Sequence, residues 1–149
     1  MLLLLFATSL ANAGEYNHIS FWKKPPDILI CGKNQPDKNF VKSSLRYWEN
    51  IGYKFGKIES TKKCPERPGD RYGKIVVTSK YFSSRQGETE LIGYEDNRVA
   101  KEYIHYAIVE LNQQVSLYKG ENADTLTHEI GHAIGIPHVG NPCDIMYKY

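Results

Sequence analysis

The sequence predicts an α+β domain, with some α/β character, built on a single mixed and twisted sheet. Short apolar runs rich in β-branched residues predict strands, and two segments with the 3.6-residue period predict helices. The length of 149 residues suits one domain, and hydrophobic residues make up 41% of it, which is enough for a core.

Five segments have the composition of strands: residues 27–31, 53–59, 74–79, 91–95 and 103–111. In the last of them, the residues that would point to either face of the strand are mostly apolar, which is typical of a strand covered on both faces. The polar stretches 60–72 and 82–90 contain glycine or proline, so they are predicted to be loops.

Two segments have the spacing of helices. The first is predicted over residues 37–50, with Asp37 or Asn39 as its N-cap and Gly52 where the helix would end. The second is predicted to begin near Asp124. The order of strand, helix, strands and helix is what an α+β domain with one sheet requires.

The charge balance excludes several classes of function. Nineteen Lys and Arg residues against seventeen Asp and Glu residues leave a net charge of +2, and the basic residues are scattered along the chain. Proteins that bind nucleic acid or anionic membranes usually concentrate positive charge. We therefore expect no nucleic-acid partner and no stable membrane insertion.

The first thirteen residues have the pattern of an export signal. An apolar run over residues 1–10 precedes Ala11 and Ala13, which form the small-x-small site of a signal peptidase. The run is shorter than the roughly 20 residues that a membrane-spanning helix needs. It departs from the usual signal-peptide pattern in one respect, because no Lys or Arg precedes it. Residues 1–13 are therefore predicted to be a signal peptide, and residues 14–149 a secreted or periplasmic domain.

Cysteine usage fits an exported chain, in which disulfides can form. Cys31, Cys64 and Cys143 allow at most one bridge within the chain, and Cys31–Cys64 is the preferred pair while the other pairings stay open. Cys143 would then be a buried thiol, a partner for another chain, or a neighbour of the site described next, and burial is favoured.

One eleven-residue segment carries the predicted chemistry. His128 and His132 are four residues apart, so on a helix both imidazoles face one side and can reach one metal ion. Glu129 can address a water bound to that ion. Gly135 permits a left-handed turn that ends the helix, after which His138 can return as a third ligand. Three neutral nitrogens and a water form an open zinc site of the catalytic type.

The pattern H-E-x-x-H-x-x-G-x-x-H resembles the motif of the metzincin zinc metalloproteases. These proteases also carry a methionine turn, and residues 144–147 read D-I-M-Y, with Met146 eight residues after His138. The Ile-Met-Tyr string is most similar to the matrixin branch. The motif match covers residues 124–147, and the order of predicted elements extends the resemblance loosely to 27–147.

The resemblance implies a five-stranded twisted sheet, a backing helix over 37–50 and an active-site helix over 124–134. It also implies a cleft below an edge strand, for which 91–95 is the candidate, where a peptide adds as a further strand. Matrixins usually continue past the methionine turn into a C-terminal helix. The few residues after that turn predict either a minimal domain over 14–149 that lacks this helix or a truncated chain.

The site residues also follow from the resemblance. It implies one catalytic zinc ion held by His128, His132 and His138, with Glu129 as the general base and Met146 as a hydrophobic floor beneath the metal. No clear match to the structural zinc and calcium loops of the family is present, so the sequence leaves further ions open.

The predicted activity is hydrolysis of peptide bonds in a protein or peptide substrate. In this hypothesis Glu129 takes a proton from the water bound to zinc and delivers it to the leaving amine. One alternative is a non-catalytic zinc-binding interaction module derived from a metzincin, and another is a metal-free structural domain. Glu129 favours the enzyme, because metal binding alone does not need that carboxylate. The substrate, any protein inhibitor and the oligomeric state stay open.

Overall fold

A computed structural model of the chain describes residues 16–114 and 123–148. The predicted signal peptide over 1–13 lies outside this part. The described residues form an α+β domain with a five-stranded mixed sheet and two α-helices, which confirms the predicted class. Neither of the two helices combines the length and apolar character needed to cross a bilayer.

The strands are β1 (Asp27–Cys31), β2 (Ile58–Thr61), β3 (Lys74–Lys80), β4 (Gly87–Asp96) and β5 (Lys101–Asn112), and the helices are α1 (Lys38–Asn50) and α2 (Ala123–Ala133). Their order in the sheet is β2-β1-β3-β5-β4. The first four in this order pair in parallel, and β4 pairs antiparallel with β5. The antiparallel strand β4 therefore forms one edge of an otherwise parallel sheet.

The main core lies between the sheet and the two helices. Alternate residues of the central strands, such as Ile28 and Val77, pack with Leu45 of α1 and Ile130 of α2. The two helices also contact each other, and the indole of Trp48 donates a hydrogen bond of 2.8 Å to a backbone carbonyl oxygen of α2. Because Trp48 is fully buried, this bond and its ring packing fix α2 against α1.

The ends of α1 agree with the signals in its sequence. An Asp37 carboxylate oxygen accepts hydrogen bonds from the backbone N–H groups of Asn39 and Phe40, at 2.9 and 3.2 Å. Asp37 is therefore the N-cap, and Asn39 is not. Gly52 follows the last turn with φ of 106°, a left-handed conformation that glycine adopts readily.

Several predicted strand boundaries differ from the structure, and the starts of two strands are wrong by four or five residues. Strand β2 begins at Ile58, not at residue 53, because Tyr53 and Phe55 reach the core without pairing with a described strand. Strand β4 begins at Gly87, inside the predicted loop 82–90. In the first half of β4, apolar and polar residues do not alternate. The residues that point inward there lie against Thr125 and Glu129 of α2 and not against the apolar core.

The disulfide joins Cys31 to Cys64, as preferred from the sequence. It lies on the sheet face opposite the helices, where both cysteines pack with Leu29 and Val76. The expected burial of Cys143 is wrong: this residue is a free and exposed cysteine. Its loop ends in the short turn before Met146 and leaves the thiol outside the core.

We expect the bridge to contribute about 3–4 kcal/mol to the free energy of unfolding, because it closes a long loop in the unfolded chain. The two cysteines are 33 positions apart. The double variant Cys31→Ala/Cys64→Ala should therefore unfold at a clearly lower urea concentration than wild type. Cys143→Ser is the matched control and should leave the urea midpoint unchanged. Equal midpoints for the oxidised and reduced wild-type chain would contradict this prediction.

Candidate metal centre

Three histidine side chains converge on one point at the C-terminal part of α2. The Nε2 atom of His132 lies 3.1 Å from the Nε2 atoms of both His128 and His138, and the latter two are 3.3 Å apart. Two of these side chains are one helical turn apart, and the third comes from the segment that follows the helix. The three residues form the one metal-competent group found among the described residues.

The backbone orients two of the three imidazoles. The Nδ1 atom of His128 lies 2.6 Å from the carbonyl oxygen of Ile145, and Nδ1 of His132 lies 2.8 Å from that of Ile136. A carbonyl oxygen only accepts, so each Nδ1 carries the proton and each Nε2 keeps its lone pair. This is the arrangement that a metal-ligating histidine needs.

Burial favours the neutral form of His132 and His138. It is the main cause that lowers the pKa of His132 below its ordinary value. Burial, followed by the neighbouring charge of His132, also lowers the pKa of His138. A neutral imidazole is the form that binds a metal ion, so the surroundings hold the group ready for one.

The spacing of the three nitrogens fits a zinc ion. Zinc binds histidine nitrogens at about 2.0–2.1 Å in tetrahedral geometry, which separates two such nitrogens by about 3.3 Å. The observed separations are 3.1–3.3 Å. Lone pairs that converge at this distance repel each other unless a cation lies between them. Nitrogen ligands without sulfur leave other divalent ions such as Cu²⁺ and Ni²⁺ chemically possible, and a three-nitrogen set is typical of catalytic zinc.

A tight turn at Gly135 brings His138 back to the helix. Gly135 has φ of 92°, and its N–H donates to the carbonyl oxygen of His132 at 2.9 Å. The chain segment before β1 packs against this turn, because Ile19 N–H donates to the Gly135 carbonyl oxygen at 3.0 Å. A side chain at position 135 would overlap the backbone carbonyl of Ser20. Glycine is therefore required here for both conformation and space.

Met146 lies beneath α2 and is fully buried. Its sulfur and the Trp48 ring occupy the space that a side chain at Gly131 would need, so the helix approaches both closely. The turn is tied to the segment after the metal group, because Val139 N–H donates to the Met146 carbonyl oxygen at 2.9 Å. The thioether supports the helix turn between His128 and His132 and is not one of the converging donors.

The Asp144 carboxylate stabilises the turn that contains Met146, and no hydrogen bond to it from a histidine is among the described contacts. This carboxylate accepts the backbone N–H of Met146 at 2.8 Å and the hydroxyl of Tyr16 at 3.0 Å. Burial is the main cause that raises the pKa of Tyr16, and the bond to Asp144 adds to it, so the hydroxyl stays protonated and donates. The Tyr16 ring also packs edge-on against Trp48. The start of the described chain thus braces the turn that orients His128.

Glu129 shares a cleft with the three histidines. The cleft has a volume of about 860 Å³ and lies between α2 and the beginning of β4. Glu129 as a whole residue is 8% exposed, and burial raises the pKa of its carboxylate above the ordinary value, partly offset by a hydrogen bond from Thr89. The Thr89 hydroxyl lies 2.6 Å from Glu129 Oε2. A carboxylate that is both buried and beside a metal-competent group is suited to accept and return a proton.

The two remaining histidines, His18 and His105, have ordinary partners. His105 on β5 stacks between Tyr72 and Tyr94, with ring centroids 4.8 and 4.6 Å away. The ring nitrogens of His18 lie 3.1 Å from the Ile134 carbonyl oxygen and 2.8 Å from the Tyr53 hydroxyl. Neither belongs to the metal-competent group.

Sequence reasoning did not identify three residues that support the site: Tyr16, Gly87 and Thr89. Tyr16 lies in a polar lead-in segment, where nothing in the sequence points to the distant Asp144. Gly87 and Thr89 lie in the stretch read as a loop. Alternation of small residues with Glu88 and Glu90 was the available signal of an edge strand with one exposed face.

No protein-family model matches the chain, and no curated protein matches it. The case for a function therefore rests on the geometry of the metal centre and on the motif that places its residues.

Proposed function

We propose that the chain is a secreted zinc endopeptidase of the metzincin type that hydrolyses peptide bonds in a protein or peptide substrate. The observation that carries this proposal is the position of Glu129. Its carboxylate lies in the same cleft as the three converging Nε2 atoms of His128, His132 and His138. A purely structural metal site needs no such carboxylate and has no open cleft.

The fold around the site supports the same proposal. The resemblance of the motif to metzincins implies a five-stranded sheet, an edge strand beside the cleft and a methionine beneath the active-site helix. The chain has a sheet of this strand number, with β4 at the edge beside the cleft and Met146 under α2. The strand number and the position of β4 at the edge of the sheet were not used to find the motif, so they support the proposal independently, whereas Met146 is part of the resemblance itself.

The chemistry assigned to the chain is proton transfer and positioning. Zinc, when bound by His128, His132 and His138, supplies Lewis-acid polarisation of the scissile carbonyl and acidifies water. Glu129 accepts one proton from the attacking water and delivers it to the leaving nitrogen, so the carboxylate is restored after each cycle. Hydrolysis adds one water across the amide bond, and no covalent bond to the chain is formed.

The cleft is suited to an extended peptide. It runs along the beginning of β4, from Gln86 to Thr89, and no described strand pairs with the outer side of β4. An exposed strand edge offers backbone N–H and C=O groups to a peptide that adds as a further strand. A substrate bound in this way passes in front of Glu129.

Two observations support export. The first thirteen residues have the apolar run and the Ala11 and Ala13 pattern of a signal peptide. The bridge between Cys31 and Cys64 is independent of that segment, and stable disulfides are typical of oxidising compartments. We therefore assign the proposed activity to an extracellular or periplasmic protein.

The test measures zinc content and cleavage in the same preparation. Purified chain should hold one zinc ion, and it should cleave a mixed fluorogenic peptide library until a chelator is added and again when zinc is restored. His132→Ala should lose zinc affinity by more than the roughly 10–100-fold that loss of an outer hydrogen bond costs. His105→Ala is the matched control, because it removes a histidine outside the metal group, and it should keep both zinc and cleavage.

The alternative functions predict other outcomes. One bound zinc per chain without cleavage of any library peptide would favour the non-catalytic binding module. Equal zinc content in wild type and His132→Ala would refute the metal centre itself. Cleavage that resists the chelator would refute a zinc-dependent mechanism.

A further inference from the structure

We infer that Thr89 on the edge strand β4 is a positioning residue for the Glu129 carboxylate, an inference that rests on the proposed function. The hydroxyl of Thr89 holds one oxygen of the carboxylate and thereby fixes the direction of the other. The Thr89 side chain is not one of the metal-competent donors, and the hydrogen bonds of its hydroxyl go to Glu129, so it acts through that residue.

The geometry of β4 brings Thr89 to this place. Successive side chains of a strand point to opposite faces, so Gly87, Thr89 and Leu91 share one face. Leu91 packs against the core, whereas Gly87 and Thr89 lie against Glu129 of α2. Thr89 pairs with Val109 in the antiparallel register. This pairing fixes the position of Thr89 in the sheet and places its hydroxyl beside Glu129 of α2.

The contact is a short hydrogen bond to a single carboxylate oxygen. Thr89 Oγ1 lies 2.6 Å from Glu129 Oε2 and 3.0 Å from the Glu129 backbone carbonyl oxygen. A threonine hydroxyl has one proton, so it donates to the nearer and charged acceptor. Charge-assisted bonds of this length are among the stronger ones in proteins. Oε2 is thus engaged, and Oε1 is the oxygen left to exchange a proton.

Gly87, two residues before Thr89 on β4, also borders the Glu129 side chain. A Cβ atom at this position would lie 3.0 Å from Glu129 Cγ and 3.3 Å from Oε1. The absence of a side chain leaves the carboxylate its space beside β4. A hydroxyl at residue 89 and a hydrogen at residue 87 therefore form a seat for the Glu129 side chain, built from alternate positions of one strand.

A seat of this kind matters for proton transfer. A glutamate side chain has three rotatable bonds, and its rotamer freedom must be lost before the carboxylate can meet a water and a leaving nitrogen in turn. The bond from Thr89 fixes the carboxylate before substrate arrives. Loss of a hydrogen-bond partner that orients a metal ligand typically costs 10–100-fold in activity, and we expect a loss of the same order for an oriented general base.

The first test measures the contact itself without turnover. Urea unfolding of metal-free wild type, Thr89→Val, Glu129→Ala and the double variant forms a double-mutant cycle. We expect the cycle to give a coupling of about tenfold in the unfolding equilibrium constant. Additive effects of the two substitutions would overturn the inference, because the hydroxyl and the carboxylate would then not interact.

The second test measures steady-state cleavage with zinc saturating. Thr89→Val keeps the shape of the side chain but removes the hydroxyl, so kcat should fall about 10–100-fold while KM and zinc content stay near wild type. Thr89→Ser keeps the hydroxyl and should retain most of kcat. Thr61→Val on β2, at the far edge of the sheet, is the matched control and should leave both constants unchanged.

The outcomes separate this inference from the proposed function. A loss of kcat in Thr89→Val that Thr89→Ser rescues supports the inference. Equal kcat values for Thr89→Val and Thr61→Val overturn it and leave the endopeptidase proposal intact. A wild-type chain that binds zinc but cleaves nothing overturns the proposed function and the positioning role together, even if the cycle shows the bond.

Discussion

Glu129→Gln should lose about 10²–10⁴-fold in kcat while the chain keeps its zinc ion and its fold. An amide has the shape of the carboxylate but cannot accept the proton of the attacking water. The three metal-competent nitrogens belong to other residues, so zinc affinity should stay near wild type. Because burial already raises the pKa of Glu129, replacement of its charge should not lower the free energy of unfolding.

The measurement compares kcat, zinc content and the urea midpoint for three proteins. Glu90→Gln is the matched control, because it makes the same chemical change on the exposed face of β4, away from α2. We expect that variant to match wild type in all three quantities. Undiminished kcat in Glu129→Gln would show that another group moves the proton, and loss of zinc would show that the carboxylate is a ligand.

Gly135→Ala should cost at least about 3 kcal/mol of the free energy of unfolding, because two separate penalties act at this position. A residue other than glycine in a left-handed conformation costs roughly 1–3 kcal/mol. The added methyl group would also overlap the backbone carbonyl of Ser20, which cannot move without breaking the contact of Ile19 with the same turn. Zinc affinity should fall as well, since the turn places His138.

Two other glycines separate the two penalties. Gly52 has φ of 106° but nothing within 4 Å of an added methyl group, so Gly52→Ala should cost only the conformational term of roughly 1–3 kcal/mol. Gly140 has neither positive φ nor a neighbour within 4 Å, so Gly140→Ala should lie within about 0.5 kcal/mol of wild type. Urea unfolding of the three variants measures the differences. Equal losses at positions 52 and 135 would show that the overlap with Ser20 is not real.

The sequence predicted the parts of the fold that local patterns determine. Asp37 and Gly52 bound the first helix because a capping carboxylate and a left-handed glycine act within a few residues of their own position. The convergence of His128 and His132 follows equally from one turn of helix. A short segment is enough to predict features of this kind, since no distant contact is involved.

The errors fall where distant contacts decide the structure. The sequence predicts a loop for the first half of β4, because Gly87 and Thr89 face a carboxylate of α2 and carry no apolar alternation. It predicts a strand for the segment before β2, whereas Tyr53 and Phe55 pack on the core without a strand partner. In both cases the conformation is determined by contacts with residues that are distant in the sequence, and the local spacing of residues does not reveal such contacts. The first error lies at the proposed catalytic carboxylate, where departure from local patterns is expected of a functional site.

The bond between Tyr16 and Asp144 has a consequence for the order in which the site is assembled. It joins residues 128 positions apart, so its formation closes almost the whole described chain into a ring. Loop-closure entropy makes such a contact late, whereas the three histidines span only eleven residues and come together as α2 and its turn form. The metal-binding geometry is therefore expected early in folding, and the brace beneath Met146 is expected only when the two ends of the domain meet.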